Sequence, residues 1–78
     1  IDVDWKVFRD MDREILYAAI RRLTDEQALV ISFRFLEEFS IAETAELMNK
    51  TEGAIKGLQF RAVGSLRELL LQDRRFEK

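Results

Sequence analysis

No cysteine, histidine or proline occurs anywhere in the chain. Without cysteine there is neither a disulfide framework nor thiolate chemistry. Without histidine the usual general base and the commonest zinc ligand are missing. Without proline nothing interrupts a helix from within. No apolar run approaches the roughly 20 residues of a membrane span, and no signal-peptide pattern is visible. Glycine occurs only three times, at Gly53, Gly57 and Gly64. The first residue is Ile rather than Met, which reads as a piece of a longer protein.

What remains offers nothing for catalysis. Glu37 and Glu38 are adjacent, so on a helix they point about 100° apart and do not form a working carboxylate pair. Ser40 and Ser65 have no histidine to activate them. No glycine-rich phosphate loop follows a strand-like run. The expectation is a chain that is not an enzyme and takes no cofactor, metal or small-molecule substrate.

With 78 residues the chain makes one domain, and 47% hydrophobic residues, including six Phe and one Trp, give it the material for a core. A chain this short buries only about 60–65% of its unfolded surface. The net charge of −2 is unevenly spread: residues 1–48 carry six Lys/Arg and eleven Asp/Glu, while residues 49–78 carry seven and four. A domain with one acidic and one basic part fits an acidic face toward protein or solvent and a basic face toward a polyanion. The basic stripe, not the net charge, is the footprint of nucleic-acid binding.

Residues 1–9 form an N-terminal linker or a helical lead-in, with Trp5 and Phe8 three apart. Asp10 or Asp12 caps a helix running to about Arg22, with Ile15, Leu16, Ala19, Ile20 and Leu23 as its apolar stripe. Thr24 and Gln27 make a capping box that opens a second helix to about Phe39, with Leu29, Val30, Phe33 and Leu36 inward. Ile31 and Phe35 fall on its flank, so this helix is apolar over more than half its girth. That excess means burial on two sides or a patch for a partner, for which Ile31, Phe35 and Phe39 are the candidates. Ser40 and Glu43 form another capping box opening a short third helix to about Met48. Asn49-Lys50 turns the chain, and Thr51 caps a fourth helix to about Gln72. Residues 73–78 read as a charged tail. The predicted fold is all-α: a four-helix domain over residues 10–72.

The fourth helix is the informative one. Ile55, Leu58, Ala62, Leu66 and Leu69 recur at spacings of three and four, one face of a helix. Gly53, Lys56, Gly57, Phe60, Arg61, Gly64 and Arg67 fall on the other. A mid-helix glycine costs roughly 1 kcal/mol relative to alanine, so three on one face point to a close approach by something else: a phosphate-lined groove or a partner helix. A short helix, a tight turn and a longer helix with a basic outward face is the helix-turn-helix pattern, whose second helix enters the DNA major groove.

Beyond this pattern, the chain resembles the C-terminal region 4 of bacterial sigma factors, in particular the extracytoplasmic-function group. The resemblance rests on Phe33-Arg34-Phe35-Leu36-Glu37, Ser40-x-x-Glu43-x-Ala45-Glu46, Gly53-Ala54-Ile55-Lys56, Arg61-Ala62 and Leu66-Arg67-x-x-Leu70, within residues 10–72. It implies a cytoplasmic domain that recognises the promoter −35 element, docks on the β flap of RNA polymerase core, and in many members is masked by an anti-sigma factor. The DNA-binding set is then Lys50, Thr51, Lys56, Gly57, Phe60, Arg61 and Arg67, with Lys56 at a base edge or phosphate and Arg61 as a phosphate clamp. Arg67 serves equally well as a solvated charge. Phe60 is read as a contact to a thymine methyl group, to another protein, or back to Phe76. The chain departs from the family where Glu38 replaces a frequent Gly, Thr44 a usual Ile, Ala54 a usual Thr and Gly57 a frequent Ser. Two other readings stand beside promoter recognition: a sigma-like module used mainly to bind a regulator, and a different helix-turn-helix protein such as a response-regulator effector.

Overall fold

The computed structural model describes residues 5–73, and among these every regular element is helical. Five helices follow in order: α1 (Lys6–Arg9), α2 (Arg13–Ile20), α3 (Asp25–Ile31), α4 (Ile41–Met48) and α5 (Glu52–Gln72). A π-helical turn, Ser32–Leu36, extends α3 without a break. The tail from residue 74, including Phe76, lies outside the described residues, as do residues 1–4.

Four of the five helices start on side-chain caps that the sequence specifies. The Asp12 carboxylate accepts from the N–H groups of Glu14 and Ile15. Thr24 with Gln27, and Ser40 with Glu43, form complete capping boxes. The Thr51 hydroxyl accepts from the Ala54 N–H at 3.1 Å. Each cap satisfies an orphan first-turn donor and contributes roughly 1 kcal/mol. Helix α1 is the addition to the four expected. It is a single turn closed on the Trp5 carbonyl, and its value is in its rings.

Those rings correct the reading of Ile31 and Phe35 as an exposed docking patch. Both are core residues, at 0% and 6% exposure. Trp5 stacks on Phe35 at 5.3 Å between ring centroids, and Phe8 meets it edge-on at 6.1 Å. Two-sided burial is therefore what the apolar girth of this helix serves: α5 packs on one side and the lead-in aromatics on the other. Phe39 is half-buried, its ring 5.8 Å from that of Phe33. Leu29, expected inward, is 45% exposed instead.

The π turn explains why α3 stops short of Phe39. The Glu37 N–H donates to the Ser32 carbonyl at 2.9 Å, five residues back, which inserts one residue into the turn and shifts the phase of the residues beyond it. Glu38 then takes a left-handed conformation, φ 60°, and the Phe39 N–H closes on the Phe33 carbonyl at 2.8 Å. This is a helix stop of the kind glycine normally makes. Helix α5, roughly 31 Å long at 1.5 Å per residue, is the spine against which α2, α3 and α4 pack. Its Ile55, Leu58, Ala62, Leu66 and Leu70 are buried. Thr44 in α4 is fully buried, and its hydroxyl has no hydrogen-bond partner among the described residues.

Candidate nucleic-acid interface

Helices α4 and α5 form the helix-turn-helix unit. Asn49 ends α4 in the left-handed region, φ 56°, where asparagine is tolerated better than most residues. The Lys50 N–H donates to the Ala45 carbonyl at 2.9 Å, and Thr51 immediately caps α5. Two residues, Asn49 and Lys50, thus separate the end of α4 from the cap of α5.

The face of α5 opposite the core is the basic one. Lys56, Arg61 and Arg67 are exposed. Phe60 stands among them at 80% exposure, the most exposed of the large hydrophobic residues described. Gly53 and Gly64 are exposed as well, and a side chain built on either meets nothing within 4 Å. Nothing within the fold therefore requires glycine at these two positions; the backbone there is bare toward solvent. Gly57 is half-buried by a neighbour: Arg61 Nη1 lies 3.5 Å from where a Cβ would stand. The Arg61 guanidinium is folded back along the helix toward its N-terminus.

Thr51 is exposed and committed to its capping bond. Lys50 is half-buried, its Nζ 2.8 Å from Glu26 Oε2 in the first turn of α3. A shallow depression between α3 and α5 is lined by Glu26, Lys50, Gly53, Gly57 and Arg61, among others. Four members of the sequence-derived set, Lys56, Phe60, Arg61 and Arg67, share the open face of α5. Lys50 joins Gly57 and Arg61 at the edge of that face.

Two polar residues, Gln59 and Arg34, take roles the sequence left open: base readout for the one, the DNA backbone or an acidic partner for the other. Gln59, on the flank of the apolar stripe, is 3% exposed, so it is not on the open face. Its Oε1 accepts from Arg34 Nε at 2.7 Å, and Arg34 Nη1 donates to the Phe39 carbonyl at 2.7 Å. Arg34, in the π turn, thus ties the chain at Phe39, just before the Ser40 cap, to the middle of α5. The only hint in the sequence is that each is polar within an otherwise apolar stripe. Among the described residues there is no group of His, Cys, Asp or Glu suited to a metal ion, and no helix is long and apolar enough to cross a membrane.

This arrangement matches known proteins over most of its length. The family described as sigma-70, region 4 matches residues 19–68. The chain is 46% identical over 69 residues to the ECF RNA polymerase sigma factor BldN of Streptomyces coelicolor, covering 88% of this chain and 26% of that protein. It is 41% identical over 64 residues to the ECF RNA polymerase sigma factor SigX of Bacillus subtilis, covering 78% of this chain and 32% of that one. It therefore spans about a quarter to a third of the length of these relatives. Among solved structures, a chain of the RsbN–BldN complex superposes with a TM-score of 0.72 at 45% identity, over 82% of this chain and 46% of that one.

Proposed function

The chain belongs to the sigma-70 region 4 family, within the ECF type of RNA polymerase sigma factor, and from that premise we propose that it recognises the promoter −35 element through α5. The observation that carries this is the open face of α5. A tight two-residue turn leads from α4 directly into it, and it presents Lys56 and Arg61 to solvent, with bare glycine backbone at Gly53 and Gly64. A helix with that face suits a major groove, its cations meeting phosphates and base edges while the bare backbone at Gly53 and Gly64 allows a close approach there. Ala54 and Gly57 carry no hydroxyl, so this chain makes fewer polar base contacts at those positions and leans more on DNA shape.

Binding to a −35 duplex weakens steeply with salt, and Lys56→Ala or Arg61→Ala each costs about 1–3 kcal/mol. Fluorescence anisotropy with a duplex enriched from a random pool, with the chain assembled on polymerase core, gives the measurement. If both variants bind as the parent does, α5 is not the DNA face. The isolated chain binds weakly, because attachment through polymerase supplies the rest by multivalency. Docking on the polymerase β flap belongs to the same reading, but Ile31 and Phe35 are core residues and do not form its surface.

A second reading has its own support. The RsbN–BldN complex is an assembly of a sigma factor with another protein, which supports a regulator of the anti-sigma type as a partner of this domain. A regulator that covers α5 competes with DNA for the chain; one that covers α2 or α3 does not.

A further inference from the structure

We infer that Glu26 is an internal competitor for the DNA phosphate that Lys50 would otherwise hold, and so sets the affinity of the domain for duplex DNA. The inference rests on the DNA-binding reading of α5 and adds a control to it. Lys50 precedes the cap of α5, and its backbone is fixed by the bond from its N–H to Ala45. Its side chain reaches away from α4 to Glu26, at 2.8 Å, with the lysine side chain 30% exposed and the glutamate side chain 58% exposed. Arg61 folds back over Gly57 toward the same depression. Two cations and one carboxylate therefore share a rim with a glycine floor. A phosphate arriving there meets a lysine already paired and a like charge beside it. Neutralising Glu26 removes the repulsion and frees Lys50, which raises the local charge from +1 to +2 without altering α5.

The pair is half exposed, so the effect is moderate and sensitive to salt. Glu26→Gln is expected to tighten binding of the whole chain to a mixed-sequence duplex of about 20 base pairs roughly three- to fivefold at about 50 mM salt. The slope of log K against log salt steepens by about one phosphate contact. In a Lys50→Met background the same substitution gives a clearly smaller gain, the part that comes from lost repulsion alone. Glu26→Gln binding like the parent, or more weakly, overturns the inference, because Glu26 then positions Lys50 or is idle. An equal gain with and without Lys50 also overturns it, since that is only a change in net charge. If Lys56→Ala and Arg61→Ala weaken binding while Glu26→Gln does nothing, the competitor fails and the DNA face stands. If none of the three changes binding, both fail.

Discussion

Two turns of this chain are built to one plan and filled with different residues. Each ends a helix with a left-handed residue, Glu38 at φ 60° or Asn49 at φ 56°. One residue follows, then a hydroxyl cap, Ser40 or Thr51. At the second turn the left-handed position holds asparagine, which suits it, and the residue between is Lys50, whose side chain leaves for a half-exposed ion pair. At the first, a glutamate occupies a conformation that costs an ordinary L-residue roughly 1–2 kcal/mol, and the residue between is the half-buried Phe39. The turn at the entrance to α5 holds a residue that tolerates its left-handed conformation. The one that carries strain is the one held in place by a side chain from elsewhere, Arg34, bonded to the Phe39 carbonyl and to Gln59. A strained backbone persists where its surroundings over-determine it.

Removing that restraint gives the largest expected effect. Arg34→Met leaves Gln59 Oε1 and the Phe39 carbonyl without their donor, and Gln59 is nearly sealed from water. The cost is about 2–4 kcal/mol, read as a lower urea midpoint at unchanged m. The matching deletion at the second turn, Lys50→Met, breaks only a half-exposed pair and costs less than about 1 kcal/mol. Equal losses at the two turns would erase the difference between them.

The strain itself is tested by relieving it. Glu38→Gly removes the Cβ that disfavours positive φ and adds backbone freedom to the unfolded chain, which offsets part of the gain. The net expectation is a stabilisation of about 0.5–1 kcal/mol, measured by the same denaturant titration. No change, or a loss, would mean that the glutamate is relaxed in its turn.

The contrast between these turns also marks how far the sequence could be read. Asp12, Thr24, Ser40 and Thr51 announce their helices because a cap is local: a hydroxyl or carboxylate bonding two or three residues on. The outward set on α5 was legible for a similar reason, since one uninterrupted helix keeps its phase over 21 residues. For Ile31 and Phe35 the sequence left burial and a partner patch both open. The π turn alters the phase only beyond Ile31, and the cover over Phe35 comes from Trp5 and Phe8, some 30 residues upstream. The pairings of Arg34 with Gln59 and of Lys50 with Glu26 span 25 and 24 positions. No periodicity encodes such pairs; only the packing of α3 against α5 makes them.

The smallest effect is the sharpest check on the comparison. Asn49→Gly puts the residue most favoured in left-handed turns where a tolerated one already stands, at nearly the φ of Glu38. If residue identity, and not the turn itself, makes the first turn strained, glycine has little to relieve here. Stability then changes by less than about 0.5 kcal/mol, because the small gain in the folded turn is met by added freedom in the unfolded chain. Parallel urea titrations of Asn49→Gly and Glu38→Gly decide it. A gain at Asn49 as large as the gain at Glu38 would show that both turns carry the same strain, and that the relaxed geometry assigned to the entrance of α5 is not real.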